Sequence, residues 1–259
     1  MSPPPLVFIT GASSGIGQAL AGRYAQAGWR LALSARRTAP IADWAAAMGL
    51  GADRIGIYSA DVAQIDSIAA AGAACIAAQG LPDLVIANAG VSIGVDTARR
   101  EDLDVLRETF AVNNVGLAAT FHPFLAGMRE RRSGTLVGIA SVAAIRGLPG
   151  HGAYCASKSA VVAYCESLRG ECRGDGLRVV TLLPGYVDTP LTAGNRYAMP
   201  FRLSAADFAA RAYQAIEAGS SYRVIPWQMA IVAKLLRLLP DALFDRVAAG
   251  RGRKKRRGE

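Results

Sequence analysis

Tyr154 and Lys158 stand four residues apart in Gly152-Ala-Tyr-Cys-Ala-Ser-Lys158. On a helix that spacing puts a phenol and an ammonium on one face, a turn apart. A phenol with its ordinary pKa of about 10 is a poor acid–base catalyst at neutral pH. A neighbouring ammonium favours phenolate, so the pair predicts a Tyr154 pKa lowered toward the working range. Ser141 precedes a Gly/Pro-containing loop that can fold its hydroxyl back toward the phenol. Chance alone places many Tyr-x-x-x-Lys pairs on exposed helix faces, so the elements that would position these three groups decide what they mean.

Residues 6–10 are a short apolar run feeding into Gly11-Ala-Ser-Ser-Gly15-Ile-Gly17, and an amphipathic segment follows over 18–27. Strand, glycine turn and helix open a βαβ unit. Gly11 permits the tight turn, Gly15 lets backbone approach a pyrophosphate, and Gly17 lets the helix sit close to the sheet. The helix start then offers unpaired N–H groups to phosphate. Further apolar strands are predicted at 29–35, 54–60, 84–87, 134–140, 177–183 and 222–225, with helices at 63–78, 102–128, from Gly152, and at 204–218. The alternation predicts an α/β fold: a Rossmann-type, doubly wound, mostly parallel seven-stranded sheet with helices on both faces, in one domain over 1–250. Ser141 falls at the C-terminal end of the fifth strand, where open α/β sheets bind ligands.

Thr10-Gly-Ala-Ser-Ser-Gly-Ile-Gly17, Asn88-Ala-Gly90, Val112-Asn-Asn-Val-Gly116, Ser141, Tyr154-x-x-x-Lys158 and Pro184-Gly-Tyr-Val-Asp-Thr189 together resemble the classical short-chain dehydrogenase/reductases, across residues 6–190. The resemblance implies a catalytic set of Asn113, Ser141, Tyr154 and Lys158, with Asn113 holding a water beside the lysine. It implies cofactor contacts from Thr10, Gly11, Ser13, Ser14, Gly15, Ile16 and Gly17, and from Asp61 and Val62 at the adenine. Asn88, Ala89 and Gly90 would lie near the cofactor, Tyr154 and Lys158 at its ribose, and Pro184, Gly185, Val187 and Thr189 against its nicotinamide. Ala87 departs from the pattern, since similar proteins carry Asn there; Asp61 reads equally well as a helix N-cap. Ala35 stands where similar NAD-using enzymes carry Asp, and Arg36 and Arg37 follow, which favours NADP(H) over NAD(H). The implied reaction is reversible hydride transfer between NADP(H) and a carbonyl/alcohol pair, with Tyr154 exchanging the proton and Ser141 hydrogen-bonding the oxygen. The alternative is a non-catalytic dinucleotide-binding regulator or scaffold on the same fold, which has no need of all four catalytic residues.

Residues 191–203 are expected to form a substrate lid, and 226–250 an apolar C-terminal segment that hints at a lipophilic substrate. The formal net charge of +9 is concentrated at 251–259, where six Lys/Arg meet one Glu. That basic tail is expected to be solvated and disordered, with contact to anionic lipid as the sharper alternative. The segment at 229–239 is broken by Lys234 and Arg237, too short and charged to span a bilayer. Four cysteines without Cys-x-x-Cys spacing read as reduced, buried thiols, and no ligand cluster for a metal is present. His151 can line the cleft, though a loop histidine there is expected to face solvent. The remaining expectations are a cytoplasmic homo-oligomer (dimer or tetramer) acting on a small-molecule carbonyl or alcohol, with no nucleic-acid partner and with peripheral contact to the inner face of a membrane open to its C-terminal segment.

Overall fold

In the computed structural model, residues 3–195, 197–250 and 252–259 are described. Seven short apolar runs become strands: β1 (Leu6–Thr10), β2 (Arg30–Ala35), β3 (Ile55–Ser59), β4 (Leu84–Ala87), β5 (Gly134–Ile139), β6 (Leu177–Pro184) and β7 (Tyr222–Ile225). Among the described residues they form one sheet in the order β3-β2-β1-β4-β5-β6-β7, every pair parallel. Parallel neighbours need crossovers, and helices supply them on both faces, which is why the central strands are apolar on both sides.

Side-chain alternation along β1 shows how one strand serves two layers. Val7 and Ile9 pack with Leu20 and Tyr24 of α1 (Gly15–Gln26) and Phe208 and Ala212 of α7 (Ala205–Glu217). Leu6 and Phe8 point the other way, toward Ile68 and Cys75 of α3 (Ile65–Gln79), Phe121 and Phe124 of α5 (Gly116–Arg131), and Val161 of α6 (Gly152–Cys172). A shorter α2 (Ala39–Ala47) links β2 to β3.

The helix expected over 102–128 is divided. α4 (Arg100–Phe110) passes through a π turn at Ala111–Val115 into α5, and the widened turn contains Asn113 and Asn114. Single π turns inside α-helices frequently mark functional positions.

Two C-terminal helices follow β7: α8 (Trp227–Leu238) packs against β7, and α9 (Asp241–Ala249) sets Phe244 under the Arg146 guanidinium. α8 buries Met229 and Ala233 and leaves Trp227, Ile231, Leu235 and Leu238 exposed, so only one of its apolar sides is covered. No helix among the described residues is long and apolar enough to cross a membrane.

The tail differs from its sequence reading as a disordered end. Residues 252–259 run back across the molecule to α4. The Gly94 N–H donates to the Lys255 carbonyl at 2.8 Å, and Gly94 and Arg256 form a parallel bridge. Arg256 grips Asp102 through Nε–Oδ2 at 2.6 Å, and Arg257 pairs with Glu108. Asp102 is only 3% exposed and also accepts from the Asp96 N–H at 2.7 Å. The acids that order this basic run lie about 150 positions upstream, beyond the reach of local pattern.

The Arg256 hydrogen bond holds the Asp102 carboxyl below its ordinary pKa of 3.8. The pairing therefore contributes at and above that pH and is lost as pH falls below it. Asp102→Asn is expected to free the tail at neutral pH, read as faster tryptic clipping at Lys254 and Lys255 by mass spectrometry; clipping at the wild-type rate would show that other contacts hold it.

Candidate active site

The strand order reverses between β1 and β4, and a crevice of about 470 Å³ opens at their C-terminal ends. Gly11, with φ +67°, makes the turn out of β1, and a Cβ on it would sit 2.8 Å from the Ala89 Cα. A Cβ on Gly17 would strike the Gly11 carbonyl and the Asn88 side chain, so this helix can approach the sheet only with glycine there. Asn88 ties the turn down: its Nδ2 donates to the Thr10 carbonyl at 3.0 Å and to the Gly11 carbonyl at 3.3 Å. The Thr10 hydroxyl in return accepts the Asn88 and Ala89 N–H groups.

Ser13, Ser14, Gly15 and Ile16 line the crevice on the glycine-turn side, with exposed Arg36 and Arg37 at the end of β2. Asp61, Val62, Asn88, Ala89 and Gly90 form a second wall, and Pro184, Gly185, Val187 and Thr189 a third. Thr10 and Gly17 stand behind the turn as its support. Asp61 accepts the Ala63 N–H at 3.0 Å, one turn ahead of α3 rather than at its N-cap. The crevice also takes in Thr192, whose hydroxyl donates to the Val187 carbonyl at 2.6 Å and accepts the Thr189 N–H. Only its proximity to Val187-x-Thr189 marks that threonine in the sequence. The cradle fits a dinucleotide: a glycine-rich turn at a helix start, a carboxylate and two arginines, and Tyr154 with Lys158.

Ser141 caps a short 3-10 turn after β5, accepting the Ala143 N–H at 3.2 Å, which leaves its proton free to point at an oxygen in the cleft. It faces the Tyr154 phenol closely enough to oppose the rise in that group's pKa. Lys158 is 5% exposed, and its Nζ donates to the Ile139 carbonyl at 2.8 Å, at the tip of β5. Asn113, 1% exposed, donates from Nδ2 to the Val91 carbonyl at 3.0 Å and to the Ser157 hydroxyl at 2.9 Å, and accepts the Val91 N–H at 2.9 Å. Ser157 donates onward to the Tyr154 carbonyl at 2.9 Å. The π turn, the loop after β4 and the first turn of α6 are thereby clamped together.

The electrostatics differ from the expected lysine-lowered phenol. Burial pushes the Tyr154 pKa up, the Ser141 hydrogen bond opposes that rise, and the Lys158 charge is not among the causes. Lys158 is itself pushed down to about 8 by burial. Its ammonium lies 5.9 Å from the centre of the Tyr154 ring and is turned toward the Ile139 carbonyl. Spacing along a helix fixed the shared face but not the direction of the ammonium.

Ser141, Tyr154 and Gly185 also line a second, mostly apolar cavity of about 140 Å³ that adjoins the crevice. Its walls include Ile145 and Leu148, Leu191 of the 191–203 segment, and Met229 and Val232 of α8. That segment is fastened at its base by the Val187–Leu203 bridge. His151 does not face solvent: it is 7% exposed and lines this cavity, with Nδ1 3.1 Å from the Pro149 carbonyl and Nε2 3.4 Å from the Tyr197 hydroxyl. Tyr186, Tyr197 and the tail residue Lys254 complete the wall, none of them signalled by a motif. All four cysteines are free and buried, and no metal-binding cluster occurs among the described residues.

A family model described as short chain dehydrogenase matches residues 5–199. An uncharacterized oxidoreductase of Myxococcus xanthus is 38% identical over 244 residues, spanning 93% of this chain and 95% of that protein. Dehydrogenase/reductase SDR family member 7B of Mus musculus is 29% identical over 269 residues, 98% of this chain and 83% of that one. A short-chain dehydrogenase structure from Streptomyces avermitilis superposes with a TM-score of 0.80 at 26% identity, covering 96% of this chain and 95% of that one. The alcohol dehydrogenase of the archaeon Thermococcus sibiricus, solved with 5-hydroxy-NADP, superposes with a TM-score of 0.75 at 25% identity, covering 85% and 95%.

A buried ammonium with one carbonyl partner weighs against folding while it stays charged. Lys158→Met is expected to stabilise the nucleotide-free protein by about 1–3 kcal/mol at pH 7 in urea unfolding. Because the folded-state pKa is lowered, the gain should shrink as pH rises from about 8 toward the ordinary 10.5. No gain at pH 7 would mean that the charge is compensated in the folded state.

Proposed function

The chain belongs to the short-chain dehydrogenase family, and on that premise we propose that it is an NADP(H)-dependent oxidoreductase interconverting a carbonyl and a secondary alcohol. The observation that carries the reading is the meeting of Ser141 and Tyr154 at the joint between the nucleotide-sized crevice and the apolar cavity, with Lys158 beneath them. A substrate carbonyl seated in the cavity can reach both hydroxyls only at that joint.

The glycine turn and the start of α1 would hold the pyrophosphate, and Asp61 and Val62 the adenine end. Arg36 and Arg37 are exposed at the crevice edge after Ala35, free of any carboxylate in the ribose-binding position, which supports the phosphorylated cofactor. The solved neighbours carry either cofactor, 5-hydroxy-NADP in the Thermococcus sibiricus alcohol dehydrogenase and NAD in a Burkholderia phymatum short chain dehydrogenase/reductase, so the two arginines carry the choice. Pro184, Gly185, Val187 and Thr189 would face the nicotinamide, and Lys158 the adjoining ribose. When bound, the cofactor supplies or accepts the hydride at the substrate carbon.

Burial keeps Tyr154 as the neutral phenol, the form that donates a proton in the reducing direction. Ser141 holds the substrate oxygen and stabilises the negative charge developing on it. Lys158, with its pKa near 8, can return a proton to the phenol side at neutral pH. Gly90 keeps the backbone close to that lysine and to Asn113: a Cβ there would crowd Asn113 Oδ1 at 3.2 Å and Lys158 Nζ at 3.4 Å. Asn113 is a positioning residue, holding the Val91 backbone and the Ser157 hydroxyl beside the lysine. The apolar walls from Ile145, Leu148, Met229 and Val232 favour a lipophilic substrate body.

Tyr154→Phe is expected to lower kcat/KM by about 10²- to 10⁴-fold while NADPH still binds, measured by NADPH oxidation and by fluorescence titration. Turnover at the wild-type level would discard the assignment. Arg36→Ala should weaken NADPH binding by about 10-fold or more and leave NADH binding unchanged; an unmoved NADPH/NADH ratio would count against the phosphate preference.

A further inference from the structure

Lys254 is delivered to the apolar cavity from the far end of the chain. The Gly94–Lys255 hydrogen bond and the Arg256–Asp102 ion pair fix the tail immediately after it, and its ammonium reaches the cavity wall beneath the 191–203 segment. There Nζ donates to the Leu191 carbonyl at 2.9 Å and to Asn195 Oδ1 at 2.7 Å. An ammonium has three protons, and two neutral acceptors leave the third unspent. Among the described residues no carboxylate pairs with Lys254, and burial alone pushes its pKa down.

The arginine on this wall is committed elsewhere. Arg146 bonds the Leu236 and Leu239 carbonyls, pairs with Asp241 at 2.8 Å, and stacks its guanidinium 3.9 Å over the Phe244 ring. Lys254 is thus a half-buried cation without a counter-ion among the described residues, in a cavity that Ser141 and Tyr154 also line. A charge placed so is satisfied by an anion brought in with the ligand.

We propose that Lys254 is a specificity-determining residue that receives the carboxylate of a small oxo acid, whose carbonyl lies at Ser141 and Tyr154. The inference rests on the carbonyl–alcohol reading above. The cavity of about 140 Å³ has room for an apolar body roughly the size of a benzene ring. In the reducing direction the ketone carbon gains a hydride from the reduced nicotinamide and its oxygen a proton from Tyr154. The products are the hydroxy acid and the oxidised nucleotide, and the carboxylate is unchanged. Because Leu191 and Asn195 belong to the lid and Lys254 to the tail, the bound carboxylate would also join these two segments over the substrate.

The test compares methyl-ketone acids of graded chain length with their isosteric primary amides, using the full chain with NADPH. For at least one length, wild-type protein is expected to prefer the acid by about 10- to 100-fold in kcat/KM. Lys254→Met should abolish the preference, and Lys254→Arg should restore part of it. Equal use of acid and amide at every length, or a preference that survives in Lys254→Met, would overturn the proposal. A second readout needs no turnover: with NADP+ present, the acid and not the amide should raise the melting temperature of wild-type protein, and not that of Lys254→Met. That shift without reduction of any ketone would keep the Lys254 assignment and sink the redox reading. Turnover of neutral ketones with no effect of charge in either assay would do the reverse.

Discussion

The site is arranged around a cation withdrawn from water. Lys158 Nζ is buried with the Ile139 carbonyl as its hydrogen-bond partner, and its lowered pKa registers what that burial costs. A group in that position stays put only if its surroundings are rigid. The clamp of Asn113, Val91, Ser157 and the Tyr154 carbonyl supplies the rigidity by spending nearly every polar atom it has on a neighbour. Such a network is worth most when complete, since a half-satisfied one leaves buried polar atoms unpaired. The π turn belongs to the same economy: it widens the helix where Asn113 and Asn114 both reach α6.

The sheet provides the fixed frame for these contacts. Reversal of strand order beside β1 opens a crevice without cutting into the apolar layers, and the Asn88 side chain spans the strand tips so that the turn cannot drift from β4. β5 contributes twice at its tip, through the Ile139 carbonyl that holds the lysine and through Ser141 just beyond it. The positions of Ser141 and of the Lys158 acceptor are therefore tied to the register of β5, which is stiffer than any loop.

Much of this was legible in the sequence because it is written locally. Gly11, Gly15 and Gly17 announce a turn whose geometry excludes side chains, and the alternation of apolar runs with helical segments dictates a parallel sheet. What was not legible depends on contacts between distant residues. His151 looked like a solvated loop histidine until Tyr197, 46 positions on, closed over it. The basic tail looked like a free end because the acids that hold it lie on α4. The lysine–tyrosine pair was found correctly on one helix face, yet the direction of the ammonium was decided by a carbonyl on a strand 19 residues earlier. Periodicity finds neighbours along an element, and these outcomes were decided between elements.

The order of the walls along the chain has a consequence for biogenesis. The residues lining the nucleotide crevice all fall between Gly11 and Thr192, whereas the adjoining apolar cavity waits for Met229, Val232 and Lys254. A nascent polypeptide that has emerged from the ribosome through β7 can assemble the whole sheet, and a dinucleotide could be captured by it before the opposite chamber exists. Translation would thus assemble the two compartments in sequence, with the redox carrier's berth ready first and the selective one finished only when the last helices and the tail fold over it.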